Sequence, residues 1–271
     1  MRKKIVGILV FTLLISAAAL PVVGTIKANS TSIEKSNTSS TSLQNLINLN
    51  PTADSFIEER NPYTNYGTLD TLYVVDKDGS WTDRSFLQFD VSSIPFSVAI
   101  KDAQLCLYYY DYDDDGSPYE IGVYRVINSW KEREINWFEM QSGTFWSNPG
   151  GGGDFDPTLI DSVFLGPPST PHYVYWNITG LVKGWVKGYF SNYGVVVKFV
   201  LEQNGNPMKL KMFRSNDWEN PSERPYLKIE YTKSKNKEIN PPFIQFLQNF
   251  LINHPNIFPI LQKIIQRSGL Q

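Results

Sequence analysis

The chain has 271 residues, of which 41% are hydrophobic and 19% charged, so it can bury a core and is not a disordered polypeptide. A single cysteine, Cys106, excludes an intrachain disulfide framework, and two histidines argue against a zinc enzyme or a Ser-His-Asp triad. Between Asp54 and Thr232 there are 15 Lys and Arg against 25 Asp and Glu, and this net charge of −10 argues against general binding of nucleic acid.

The N-terminus, residues 1–28, has the pattern of a secretory signal peptide. Arg2, Lys3 and Lys4 precede an uncharged apolar run that ends at Leu20, and small residues follow as far as Ala28. The alternative is an uncleaved anchor, although the run is slightly short for a bilayer span of ~20 residues. We therefore expect a protein that is secreted or attached to the cell surface.

Residues 29–52 are rich in Ser, Thr and Asn and contain too few apolar residues to form a core. This composition predicts a low-complexity linker between the signal peptide and the body of the protein.

The body, residues 53–232, consists of short runs rich in β-branched and aromatic residues, many of them alternating apolar with polar. Gly, Pro, Asn and Asp separate these runs, as they do in antiparallel sheets. The pattern predicts an all-β fold, an antiparallel jelly-roll-like β-sandwich. One short helix is expected where Leu181, Val182, Trp185 and Val186 recur at helical spacing. Strands are predicted at residues 71–75, 85–91, 103–110, 121–126, 172–178, 194–200, 209–214 and 226–231.

The tail, residues 233–271, carries apolar residues at helical intervals interrupted by Pro255 and Pro259, and is predicted to form two amphipathic helices. Such apolar faces are expected to be buried against another surface rather than exposed to water. Lys233, Lys235 and Lys237 suit an anionic membrane surface or an acidic partner. The polar linker from Lys233 to Asn240 argues against tight packing on the sandwich, so we expect a peripheral attachment or assembly element.

Aromatic side chains are the candidates for sugar binding, because their flat faces stack on sugar C–H groups. Trp130, Trp137, Trp176 and Trp185 stand at strand or helix positions and are expected in the core. Trp81, Trp146 and Trp218 lie in polar, turn-rich surroundings, where an exposed platform and a core position are both open. Alternation places Tyr109 on the face opposite to that of its two Tyr neighbours, and Tyr109 and Tyr112 complete the carbohydrate-binding candidates.

The acidic cluster Asp111, Asp113 and Asp115, with Asp114 and Gly116, has the residue types of a calcium loop but not the spacing of an EF-hand. A structural calcium ion is the only cofactor that these residues suggest. The alternative is a solvated hairpin tip.

Catalysis is not expected. Glu132 and Glu134 could be read as the paired carboxyls of a glycosidase. A chain with 27 acidic residues offers such pairs in many places, so the pair carries little weight.

Blocks of the body resemble the DNRLRE domain, which is carbohydrate-binding module family 96. The resemblance lies in ADSFIEERNPYTNYGTLDTLYV, DRSFLQFDVSSIP, IKDAQLCLYYY, VYRVINSWKEREINW, WNITGLVKGWVKGYFSNYGVVVK and FRSNDWENPSERPYLKIEYT, which occur in this order. It implies a β-sandwich that binds polysaccharide and has no catalysis of its own.

The sequence therefore predicts an exported, non-catalytic module that binds a polysaccharide or cell-surface glycan. The alternatives are a structural or adhesive surface module without glycan specificity, and a polysaccharide hydrolase or lyase. Because the body is acidic, we expect a neutral glycan rather than a polyanion.

Overall fold

In the computed structural model, residues 44–77, 81–202 and 208–232 are described, and they form an antiparallel β-fold with one short helix. The predicted signal peptide and tail, and the linker up to residue 43, lie outside the described residues. The strands are β1 (Gln44–Leu49), β2 (Pro51–Glu58), β3 (Thr71–Lys77), β4 (Trp81–Phe89), β5 (Ala99–Tyr112), β6 (Tyr119–Arg125), β7 (Glu139–Gln141), β8 (Thr144–Phe145), β9 (Asp161–Leu165), β10 (His172–Asn177), β11 (Val195–Phe199), β12 (Lys209–Arg214) and β13 (Tyr226–Thr232).

One curled sheet contains all of these strands except the β7-β8 hairpin. Its order is β1-β13-β5-β12-β3-β4-β11-β6-β9, with β10 added to β5 and β2 added to β4. We call β1, β13, β5 and β10 the front layer, and β2, β4, β11, β6 and β9 the rear layer; β12 and β3 connect the two. Leu105 and Leu227 of the front layer and Leu87 and Val195 of the rear layer belong to one buried cluster. The two layers therefore enclose a common core, and the prediction of an all-β antiparallel sandwich is confirmed.

Alternation along β5 decides which of its side chains enter that core. Ala103, Leu105, Leu107 and Tyr109 are buried in the main cluster. The residues between them, including Tyr108, point to the outer face of the front layer, because successive strand residues point to opposite sides.

The outer face of the rear layer is covered by residues 127–155, which we call the covering segment. Phe86 of β4 and Val196 of β11 form a second buried cluster with Trp130, Trp137 and Trp146 of this segment. Trp130 Nε1 donates to Tyr193 O at 2.9 Å, and Trp146 Nε1 donates to Asn136 O at 2.9 Å. The indole rings thus exclude water from the rear layer, while the N–H groups of Trp130 and Trp146 keep a partner.

The helix α1 (Thr179–Val186) packs on the main core through Leu181, Val182 and Trp185, as its apolar spacing predicted. No helix in the described ranges has both the length and the hydropathy that a membrane crossing requires.

The tryptophans that were expected in the core are all buried, and one further tryptophan is buried as well. Trp130, Trp137, Trp176 and Trp185 are all buried, which confirms their expected core positions. Cys106 is fully buried as well. Trp146, for which an exposed platform was one expectation, is instead 5% exposed, because the covering segment folds back onto β4.

Strand β1 lies where the sequence predicted a linker. It pairs antiparallel with β13 from Gln44 opposite Thr232 to Leu49 opposite Leu227. Of its side chains, Ile47 and Leu49 are partly buried against the main core. The strands therefore begin before residue 53, because pairing with β13 compensates for the polar composition of this segment.

Candidate functional site

Two of the five aromatic candidates are inaccessible. Tyr109 is 1% exposed, because it points into the core on the same side of β5 as Leu105 and Leu107. Its hydroxyl donates a hydrogen bond to Gly166 O at 2.9 Å. Trp146 is enclosed by the covering segment. The expectation that Tyr109 and Trp146 stack on sugar is therefore wrong, and both side chains belong to the buried cores.

The other three candidates are half-buried and stand on separate elements. The guanidinium of Arg60 lies 4.5 Å from the ring centre of Trp81 at the start of β4. Arg214 lies 3.5 Å from the ring centre of Trp218, and the indole N–H of Trp218 donates to Glu223 Oε2 at 2.9 Å. Tyr112, at the end of β5, packs partly against the main core. A cation over one face leaves Trp81 and Trp218 less free surface for a ligand than the sequence suggested.

The acidic hairpin does not gather its carboxylates around one point. Asp114 forms a fully buried ion pair with Lys211. Asp115 Oδ1 accepts hydrogen bonds from the amide of Ser117 and the hydroxyl of Tyr119, both at 2.9 Å. Within residues 44–77, 81–202 and 208–232, the acidic group that converges is made by other residues, Asp54, Glu132 and Asp217.

The expectation that Asp111, Asp113 and Asp115 hold calcium stays a prediction, and the described part of the chain does not bring these three carboxylates together. Asp114 is paired with a buried lysine, and the carboxylate of Asp115 accepts the amide of Ser117 in the turn that follows it, so both carboxylates already have partners within the protein.

A cluster of tyrosines occupies the outer face of the front layer. It consists of Tyr108 on β5, Tyr173 and Tyr175 on β10, and Tyr226 on β13, and we call it the tyrosine face. The ring centre of Tyr173 lies 5.1 Å from that of Tyr108, 5.1 Å from that of Tyr226 and 6.4 Å from that of Tyr175. Tyr175 is 46% exposed and the other three are half-buried.

The register of three neighbouring strands explains this cluster. Tyr173 is opposite Tyr108, while Tyr175 and Tyr226 lie on either side of Cys106. Because Cys106 is small, the two rings flanking it have room on the same face of the sheet. The tyrosine face thus follows from strand pairing between segments far apart in the chain.

Polar groups border the tyrosine face. In the next row of the sheet, Gln104 of β5 stands between Asn177 of β10 and Lys228 of β13. The hydroxyl of Tyr173 donates to the carbonyls of Ser222 at 2.7 Å or Arg224 at 2.9 Å, which holds this ring in place. Flat rings beside amide and ammonium groups are the combination that a sugar ring and its hydroxyls require.

The aromatic surface continues toward Trp218. Tyr110, on the same side of β5 as Tyr108, shares a 2.9 Å hydrogen bond with Thr71 Oγ1. The guanidinium of Arg214 lies 3.7 Å from the ring centre of Tyr110 as well as over Trp218. Arg214 therefore links the half-buried Trp218 to the edge of the front layer.

The tyrosine face stays uncharged at its centre. Burial raises the pKa of Tyr173 to about 12, and it raises the pKa of Tyr226 still further. Burial also raises the pKa of the Cys106 thiol to about 11, so this cysteine is not a reactive thiolate at neutral pH. The site can stack and donate hydrogen bonds, and it lacks an activated nucleophile.

None of the four tyrosines was a candidate from the sequence, although the alternation of residues along the strands contained the signal. In HYVYWN, placing Trp176 in the core puts Tyr173 and Tyr175 on the opposite face. In AQLCLYYY, the apolar phase of Leu105 and Leu107 includes Tyr109 and leaves Tyr108 outside. The face on which each of these side chains lies could therefore be predicted from the sequence. The pairing that brings the three strands together could not.

Residues 45–145 match the family model of carbohydrate-binding module family 96, and over this range the resemblance stated from the sequence is confirmed. The matched residues extend from β1 to β8. In the structure the fold continues beyond them, since β11 lies between β4 and β6, and β13 lies between β1 and β5. The matched family is one of carbohydrate-binding modules, so the partner that it implies is a carbohydrate. No curated protein matches the chain.

Proposed function

We propose that this protein is an exported, non-catalytic carbohydrate-binding protein and that its tyrosine face binds a polysaccharide. The observation that supports this most strongly is the difference between the two outer faces. The rear layer is covered by its own tryptophan-rich segment. The front layer carries four clustered tyrosines, of which Tyr175 is 46% exposed.

The chemistry of the tyrosine face suits a chain of sugars. Aromatic rings gain by covering apolar C–H surface and lose little conformational entropy, because they have few rotatable bonds. Gln104, Asn177 and Lys228 offer donors and acceptors beside the rings. Strands in a sheet lie about 4.8 Å apart, so rings on β10, β5 and β13 extend across three strands and suit an elongated ligand.

The paired glutamates of the covering segment support a binding role rather than hydrolysis. Glu132 Oε1 accepts from the amide of Asp54 at 3.0 Å, and Glu134 Oε2 accepts from the amide of Ser142 at 2.8 Å. The hydrogen bond from Ser142 and the ion pair with Lys131 hold the pKa of Glu134 below its usual range. A general acid needs a raised pKa, so Glu134 is poorly suited to that role.

Export rests on the N-terminal signal pattern, and attachment rests on the amphipathic pattern of residues 233–271. Both segments lie outside the described residues. We place the protein in the extracellular space or at the cell surface, with the tail contacting a membrane surface or a partner protein.

The test is a glycan array with the full chain, followed by affinity measurements on variants. Each of Tyr175→Ala and Tyr108→Ala should weaken binding by about 1 to 3 kcal/mol, by analogy with stacking of bases on aromatic side chains, which corresponds to roughly 5- to 150-fold. Tyr189→Ala is the matched control, because Tyr189 is 78% exposed, follows α1 and is not one of the rings of the tyrosine face.

Folded variants at Tyr175 and Tyr108 with unchanged affinity would move the binding site elsewhere. If no glycan on the array binds, the alternative of a structural or adhesive module is favoured. Release of sugar products from a bound polysaccharide would favour the enzyme.

A further inference from the structure

Three carboxylates from distant parts of the chain meet beside β2. They belong to Asp54 of β2, Glu132 of the covering segment and Asp217 of the turn after β12. One oxygen of each lies within 4.8 Å of an oxygen of the other two. These residues are outside the tyrosine face and are not the acidic hairpin that the sequence suggested.

Asp54 is the unusual member of this group. Its side chain is buried, with the residue 1% exposed. Its Oδ2 accepts from the amide of Asn216 at 2.7 Å, whereas among the described residues its Oδ1 has no hydrogen-bond partner. A buried carboxylate oxygen without a partner costs free energy, because it has given up water without replacing it.

Repulsion adds to the cost of burial. Burial, followed by the charges of Glu132 and Asp217, raises the pKa of Asp54 to about 7. The nearest opposite charge is Arg133, whose Nε lies 3.4 Å from Glu132 Oε2 and whose side chain is 56% exposed. One exposed guanidinium beside three carboxylates leaves the group with net negative charge.

Hydrogen bonds between side chains and backbone hold two of the three segments in position. Asn65 Nδ2 donates to Glu132 O at 2.7 Å and to Ile135 O at 2.8 Å. A side chain at Gly67 would bring its Cβ within 2.3 Å of Glu132 O, so the close approach of these segments requires glycine. The amide of Asp217 donates to Ser215 Oγ at 3.0 Å. These hydrogen bonds and the close approach at Gly67 therefore keep the carboxylates together despite their repulsion.

We propose that Asp54, Glu132 and Asp217 form a binding site for a divalent cation, and that the cation is calcium. Calcium takes six to eight oxygen ligands in flexible geometry, and carboxylates are its preferred protein ligands. Asp217 is exposed, so water can reach the site and complete the coordination. A cation here would give the free oxygen of Asp54 a partner and would neutralise the repulsion.

Such an ion would join three elements. It would tie β2 to the covering segment and to the turn that carries Trp218, one residue after Asp217. Occupancy should therefore stabilise the fold, because a ligand that binds only the folded state raises its stability by mass action.

The experiment uses the full chain, stripped with a chelator and dialysed. Calorimetric titration with calcium chloride should show one site. The melting temperature should rise by roughly 5 to 10 °C at a free calcium concentration about 100 times the dissociation constant. Asp217→Asn and Glu132→Gln should abolish both signals. Asp217 is exposed, so its variant should fold even if Asp54→Asn does not. The control is Asp113→Asn in the acidic hairpin, which should respond as the wild type does.

Four results would contradict the proposal. The first is a wild-type chain that neither binds calcium nor gains stability from it. The second is a calcium response that survives in Asp217→Asn and Glu132→Gln. The third is a response that disappears in Asp113→Asn, which would locate the ion at the hairpin. A response to magnesium chloride but not to calcium chloride would contradict the choice of ion. None of these results depends on whether the tyrosine face binds sugar.

Discussion

At the scale of single residues, most buried charges in the described part of the chain have a partner. Lys211 pairs with Asp114, Lys209 pairs with Asp76 at 2.9 Å, and Arg84 pairs with Glu202 at 2.6 Å. Removing one member of such a pair leaves the other charge buried and unpaired, which is more costly than losing the attraction itself. Asp83 departs from this arrangement, since its Oδ1 is buried without a partner while its Oδ2 accepts from Trp81 Nε1 at 3.2 Å.

Asp83 predicts a pH dependence of stability. Burial, followed by the charge of Glu58, raises the pKa of Asp83 to about 8, against 3.8 for an ordinary aspartate. The folded state therefore keeps a proton that the unfolded state has released. The contribution of Asp83 to stability is fully present below about pH 4 and is lost as the pH rises through about 8. Over this window the free energy of unfolding should fall by on the order of a few kcal/mol on account of this group.

The check is urea unfolding of the wild type and of Asp83→Asn at pH 5 and pH 8. The asparagine variant should lose less stability than the wild type between these two values. Equal losses in the two proteins would mean that Asp83 is ionised in the folded state throughout.

At the scale of elements, the covering segment differs from an ordinary connection between strands. It contributes Trp130, Trp137 and Trp146 to the second cluster and packs them on Phe86 and neighbouring residues of the rear layer. The rings of Phe86 and Trp146 are stacked at 5.4 Å between centres. This segment therefore acts as a third layer, which leaves the front layer as the open aromatic surface.

Trp146→Ala separates a core role from a binding role. Truncating a buried tryptophan should lower the free energy of unfolding by about 3 to 5 kcal/mol, since it leaves a cavity beside Phe86. The folded fraction of this variant should bind glycan with the same affinity as the wild type. Urea unfolding and affinity measurement on the same sample make the comparison. A variant of wild-type stability that binds glycan more weakly would return Trp146 to the set of sugar-binding residues.

At the scale of the whole molecule, charge bears on the choice of ligand. Residues 54–232 carry a net charge of −10. A polyanionic polysaccharide would meet repulsion from this field, whereas a neutral chain would not. The tyrosine face has an uncharged centre, and the ammonium of Lys228 at its border lies 3.8 Å from Glu230.

We therefore expect neutral glucans or mannans to bind more tightly than alginate or pectate. The affinity for the neutral glucans or mannans should change little between low and high salt, because no charge pairing is involved. Binding should be measured for both classes of polysaccharide at two salt concentrations, with and without calcium. A salt-sensitive preference for alginate or pectate would contradict the expectation, and its dependence on calcium would show whether a bridging ion is responsible.

The amino-acid sequence by itself determined the class of fold, because the period of its apolar residues is local information. The β-branched run of GVVVKFV and the alternation in AQLCLYYY predict strands, and the spacing of Leu181, Val182 and Trp185 predicts the helix; the structure has both. Trp176 could be placed in the core for the same reason.

Only the tertiary structure decided which surfaces are open and which charges meet. Tyr108, Tyr173 and Tyr226 come together through the pairing of β5 with β10 and β13, and Trp146 is enclosed because its segment folds over the rear layer. Asp54, Glu132 and Asp217 are far apart in the chain, and no local pattern connects them. Long-range pairing has no periodic signature in one sequence, so burial at turns and convergence of carboxylates become visible only in the folded chain.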